Sequence, residues 1–166
     1  MKKYRTELKW AFLFAGVALL WMVLERLAGL HDRYIAQHAI YTNFFAIPAI
    51  ALYVLALLDK RRNDYGGVMT YKQGLVSGLV LTLFIALLSP LTQWITSTVI
   101  TPQYFPNVIA YAVATGEMEP AEAEAYFSLG NYVLQSVIGA LLMGAFTSAI
   151  VAFFVKRAAP LAAHPS

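Results

Sequence analysis

Four long apolar runs, separated by short polar stretches, dominate the pattern of this chain. They cover about residues 10–30, 41–58, 74–100 and 132–155, and each is close to the roughly 20 residues a helix needs to cross about 30 Å of hydrocarbon. Apolar residues are continuous within each run, which suits helices that satisfy their own backbone groups and not barrel strands of about 10 alternating residues. The pattern predicts an all-α integral membrane protein, with residues 1–166 forming a single four-helix transmembrane domain.

The polar stretches refine this picture. Residues 30–40 read as a short loop carrying His31, Asp32, Arg33, Tyr34 and His38. Asn63, Asp64, Tyr65, Gly66 and Gly67 form the strongest turn signal in the chain. The outer loop, about residues 101–131, contains no Lys or Arg. It predicts a short apolar helix over 107–115 ended by Gly116, then an acidic helix starting at Glu119 and Pro120, where Pro and Glu suit a first turn. Gly130 and Asn131 read as a break before the last span, and the Ala/Pro-rich tail after Arg157 as a frayed end.

Charge sets the expected orientation. Of the twelve Lys and Arg residues, Lys2, Lys3, Arg5, Lys9, Lys60, Arg61, Arg62, Lys72, Lys156 and Arg157 fall on one side, and only Arg26 and Arg33 on the other. Basic residues collect in cytoplasmic loops, so both termini are expected in the cytoplasm. A composition 60% apolar and 13% charged excludes an ordinary soluble domain, where about a quarter of residues are charged. The net charge of +3 follows from topology and anionic lipid headgroups, so membrane lipid is the expected partner and nucleic acid is not. With no cysteine, disulfides and thiolate chemistry are excluded.

Small residues recur at helical spacing. Gly74 and Gly78 open the third span, and Ala140, Gly144 and Ser148 form a stripe on the fourth. Both patterns let another helix approach closely. A polar layer is expected at the outer ends of the spans, from Glu25, Arg26, Thr42, Asn43, Gln93, Gln135 and Ser136, with Ser89 and Pro90 just below Gln93. Such a layer can line an outward-facing pocket or simply bond between helices at the wet interface. Glu25 stands out, because an ionisable group at membrane depth is a functional candidate; its structural alternatives are a local pair with Arg26 or a snorkelled carboxylate.

Chemistry is not otherwise signalled. His31, Asp32 and His38 are metal-ligand types, and positions 31 and 38 would share a face if the loop were helical, but no compact His-Glu-x-x-His pair or Cys accompanies them. No metal, cofactor or catalytic residue is assigned. Gly-x-Ser-x-Gly and phosphate-binding glycine loops do not occur.

Several features also occur together in one family. Tyr71-Lys72-Gln73-Gly74-Leu75-Val76-Ser77-Gly78, the Thr101-Pro102-Gln103-Tyr104 start of the outer loop, the Met118-Glu119-Pro120-Ala121-Glu122 helix start and a glycine-bearing last span closed by Lys156-Arg157 resemble an uncharacterised four-span family of bacterial membrane proteins, a domain of unknown function seen chiefly in Bacteroidota. The resemblance covers nearly the whole chain and implies four helices with internal termini. It implies no activity, cofactor or catalytic residue. With the bacterial origin that the resemblance implies, the leading expectation is a non-enzymatic inner-membrane protein acting through helix packing, as a homo-oligomer or as an accessory subunit of a membrane complex. A small transporter or channel with an outward-facing polar pocket is the alternative, and an intramembrane enzyme using Glu25, His31 or His38 ranks behind both.

Overall fold

The computed structural model describes residues 4–158. Lys2, Lys3 and the tail beyond Ala158 lie outside the described residues. The elements are α1 (Arg5–Leu27), α2 (Ile35–Tyr41), α3 (Ala46–Asn63), α4 (Tyr71–Ile95), α5 (Tyr104–Ala114), α6 (Pro120–Tyr126) and α7 (Leu129–Val155). A 3-10 turn, Thr42–Phe45, joins α2 to α3, and a π-helical turn, Thr96–Ile100, prolongs α4. Among the described residues, four helical stretches are long and apolar enough to cross a membrane: Arg5–Leu27, Ile35–Asn63, Tyr71–Ile100 and Leu129–Val155. Their outward faces carry Phe154, Leu27, Ile47, Leu87 and Phe146, all exposed, as befits a surface solvated by lipid tails.

The long helices pack as a ring in the order α1, α4, α7, α3, with α3 and α4 on one diagonal. The α4–α7 contact is antiparallel and set by small residues. Gly74 lies against Ala152, Gly78 against Ser148, and Gly144 against Thr82, so the pairing steps by four residues on each helix. Lipid offers no hydrophobic drive for helices to associate, so this close packing supplies much of the attraction. Hydroxyls on the shared face are satisfied locally: Thr82 Oγ1 donates to the Gly78 carbonyl at 2.9 Å and Ser148 Oγ to the Gly144 carbonyl at 2.7 Å, while the Tyr53 hydroxyl pairs with Thr82 at 2.8 Å. Ala140 packs at the edge of the same core.

Pro90 sits inside α4 and cannot donate to the carbonyl four residues before it, that of Ala86. Ser89 Oγ donates to that carbonyl at 2.9 Å, so the neighbouring side chain occupies the acceptor the proline releases.

At the end of the bundle near the described termini, charges are buried as a network. Glu7 and Lys60 are 3% and 4% exposed; the Lys60 ammonium lies 3.0 Å from Glu7 and 2.8 Å from Asp64, and Ser77 Oγ donates to Glu7 at 2.7 Å. This explains why α1 begins at Arg5 although the apolar run begins near residue 10: the first turn is held by ion pairs. Asp59 accepts from Trp10 Nε1 at 2.7 Å and pairs with Lys9. The same end is tied shut by paired backbone bonds between Met69 and Arg157, and Arg61 donates to the Val155 carbonyl at 2.7 Å.

Local signals explain most boundaries. Thr70 and Gln73 form a capping box at the start of α4. Pro120 occupies the first turn of α6. Gly116 ends the α5 segment at φ +73°, with Glu117 N–H bonded to the Ala112 carbonyl. Two expectations need correction. The loop expected over residues 30–40 is helical from Ile35, and the break expected at Gly130 and Asn131 lies one step earlier. Ser128 is the N-cap of α7 and accepts from Asn131 N–H at 3.4 Å, so both residues belong to its first turn.

Candidate functional site

The last turn of α1 is closed by glycine chemistry. Gly29 takes φ +80°, Leu30 N–H bonds the Glu25 carbonyl at 3.0 Å and Gly29 N–H bonds the Arg26 carbonyl at 3.0 Å. This is the Schellman arrangement, in which a left-handed residue just past the helix reverses the chain. A Cβ at Gly29 would meet Arg33 Nε at 2.9 Å. The reversal carries His31 back over the Glu25 side chain, and α2, one turn further on, brings His38 to the same point.

The result is a buried carboxylate between two imidazoles. Glu25 Oε2 lies 3.2 Å from His31 Nε2 and 3.2 Å from His38 Nε2. Trp21, one turn back on α1, donates its indole N–H to the other carboxylate oxygen. Glu25 and His31 are each 3% exposed and His38 is 16% exposed. The carboxylate is therefore neither snorkelled nor paired with Arg26, whose guanidinium donates to the Ile100 carbonyl in the π-helical turn.

Groups from α5 and α7 complete the surround. The Tyr104 hydroxyl is 3.3 Å from His38 Nδ1 and 3.5 Å from the Tyr132 hydroxyl, and Asn107 donates to the His31 carbonyl at 2.9 Å. The rings of His31, His38 and Tyr104 lie edge to face or tilted, with centroids 5.1 to 5.3 Å apart. Burial pushes the Tyr104 phenol above its ordinary range, with the Tyr132 hydroxyl adding to the effect. It is a neutral hydrogen-bonding group at physiological pH.

A cavity of about 600 Å³ adjoins this cluster, lined by His31, His38, Gln93, Tyr104 and Tyr132 among others, with further wall residues from α5 and Tyr126 at the end of α6. Of the expected polar layer, Gln93 and Thr42 line it, and Gln93 donates to Ser97 Oγ at 3.0 Å. Glu25 stands behind the two imidazoles. Asn43 is exposed and donates to the Ala39 carbonyl, Gln135 is exposed on α7, and Ser136 donates to the Val133 carbonyl. Asp32 is exposed and bonds its neighbour Arg33 N–H. The small residues Gly74, Gly78, Ala140, Gly144 and Ser148 lie away from the cavity, in the α4–α7 contact and its margin.

Sequence reasoning did not bring Tyr104, Trp21 and Tyr132 to the cluster. Trp21 and Glu25 are four residues apart, a spacing that places them on one helix face, and Gly29 after an apolar turn signals a C-terminal cap. Together those signals place the chain reversal beside Glu25. Nothing local places Tyr104 or Tyr132 there.

Fold and site define a four-span helical membrane protein with a buried carboxylate–imidazole cluster beside a cavity at one end of the bundle. The family model described as Protein of unknown function (DUF4199) matches residues 9–157, and the chain belongs to that family. No curated protein and no solved structure matches it.

Proposed function

We propose that this protein binds a small polar solute or ion in the cavity beneath α5 and α6, against Glu25, His31 and His38. The observation that carries this reading is the cavity of about 600 Å³ beside a buried carboxylate and two imidazoles. Ionisable groups at membrane depth are costly and mark ligand, ion or proton sites, and binding pockets of several hundred Å³ combine apolar walls with a few convergent polar groups. The bias of Lys and Arg supports a cavity that opens on the outward side of the membrane. About three turns along α4 from Gln93, the bundle is filled by Tyr53, Thr82 and Ser148, which supports capture from one side over an open channel.

A role through helix packing, as homo-oligomer or accessory subunit, has less support. The small-residue stripes that motivate it are engaged between α4 and α7 of one chain.

Ala39 is exposed at the cavity wall, so Ala39→Trp fills the space without disturbing the core. Native mass measurement of protein extracted in mild detergent should show a retained small species that Ala39→Trp loses. A wild-type chain that carries none, and whose melting does not respond to added solutes or ions, overturns the reading. Solute flux in proteoliposomes, compared with Glu25→Gln, then separates transport from capture.

A further inference from the structure

We propose that Glu25, His31 and His38 form a three-ligand site for a divalent transition metal of the zinc type, open to the adjoining cavity for a fourth ligand. The inference deepens the cavity-binding reading and rests on its placing of the binding function at this end of the bundle.

Two imidazoles and one carboxylate are a ligand set that zinc uses when a position is kept free for water or substrate. Here one ligand atom from each of the three residues falls within 4.8 Å of the others. Metal–nitrogen and metal–oxygen bonds of about 2.0–2.2 Å at tetrahedral angles separate neighbouring ligand atoms by about 3.3 Å. Both Nε2 atoms stand 3.2 Å from Glu25 Oε2, so a small adjustment of side chains on a fixed backbone admits the ion.

Charge points the same way. Ligation takes the carboxylate ionised and both imidazoles neutral, a set whose single negative charge a cation would balance, and the neighbouring guanidinium of Arg26 is directed to the Ile100 carbonyl instead. His31 Nδ1 is buried and has no partner among the described residues, and this holds whether that nitrogen carries a lone pair or a proton. A metal at Nε2 fixes this second nitrogen as an N–H facing away from the ion, and His31 lines the cavity from which a water can serve as its acceptor.

The outer contacts fit ligation. A metal-bound imidazole commonly donates its second N–H to an oxygen that fixes the ring, and Tyr104 offers such an oxygen 3.3 Å from His38 Nδ1. Asn107 holds the His31 backbone. Asp32, the carboxylate nearest His31 in sequence, is exposed and takes no part.

The test loads metal-stripped, detergent-purified full chain with Zn²⁺ or Co²⁺ alone. One ion per chain should survive dialysis, with Co²⁺ giving the intense visible absorption of a tetrahedral site. Glu25→Gln and His38→Gln should lose that ion, and Tyr104→Phe should bind it about 10- to 100-fold more weakly. Melting and elution profiles like those of the wild type establish that each variant is folded. A wild-type chain that retains no stoichiometric ion overturns the proposal, as does a folded Glu25→Gln variant that binds as well as wild type. If no metal binds while a solute is retained and Ala39→Trp displaces it, the metal site falls and the cavity reading stands. If one ion binds with the expected spectrum and no solute is retained, the metal site stands and the solute reading falls.

Discussion

A Cβ placed on Gly78 of α4 would lie 2.6 Å from both Cβ and Oγ of Ser148 on α7. Position 78 is therefore closed to any side chain unless the two helices separate. The same holds at Gly144, where a Cβ would meet Thr82 and the Tyr53 hydroxyl at 2.6 Å. Gly78→Ala and Gly144→Ala should each destabilise the fold by about 1–3 kcal/mol, the usual range for overpacking. Gly139, on the same helix as Gly144, has nothing within 4 Å of a built Cβ, so Gly139→Ala should leave stability unchanged or raise it. Melting of the three variants in one detergent checks this; equal losses at all three would show that the α4–α7 contact does not set the cost.

The Glu7–Lys60 pair is buried on both sides. Removing one partner strands the other charge, so Lys60→Met should cost about 3–5 kcal/mol. Replacing both, with Glu7→Gln added, should recover much of that loss, because the stranded charge is gone. A double-mutant cycle on denaturant or thermal unfolding measures the recovery; additive losses would mean that the two groups act independently.

Ser89 stands in for the bond that Pro90 cannot make. Ser89→Ala leaves the buried Ala86 carbonyl without that donor and should cost about 1 kcal/mol. In a Pro90→Ala background, the restored backbone N–H can reach the carbonyl, and Ser89→Ala should then cost little. Comparable costs in both backgrounds would remove the compensating role assigned to Ser89.

The Lys60 ammonium beside Asp64 holds its carboxyl below the usual carboxylate range. Because the folded value is depressed, this pairing adds stability above the unfolded value and loses it as pH falls through the folded one. Wild type should therefore soften progressively below about pH 4, and Asp64→Asn should show a shallower acid decline. Asp64 is partly exposed, so solvent screening keeps the effect small. Melting temperature followed from pH 6 to pH 3 in both proteins gives the comparison.

Much of this architecture is written locally. The runs of apolar residues mark the four spans, Gly66 and Gly67 mark the turn before α4, and Gly116 and Pro120 bound the two short helices of the long loop. These are short-range signals of hydropathy, left-handed backbone and proline, and they survive folding because neighbours do not compete with them. The candidate site is different. Depth along a span says which residues lie at one level and not which face they occupy: of the polar layer, Gln93 reaches the cavity while Asn43 and Gln135 face elsewhere. His31 and His38 meet at Glu25 because a chain reversal at Gly29 and a helix at Ile35 act together, and Tyr104 joins them from a segment 66 residues beyond His38. No periodicity records such a convergence.

The α4–α7 seam also has a consequence for how the molecule is made. Synthesis delivers α1, α3 and α4 first, so until α7 emerges the glycine face of α4 and the Tyr53–Thr82 hydroxyl pair have no helix to cover them. The chain before residue 129 is a frame with one wall missing, in need of temporary cover by lipid or by the insertion machinery. Only the last span closes it, and the single backbone bridge between Met69 and Arg157 then acts as the latch.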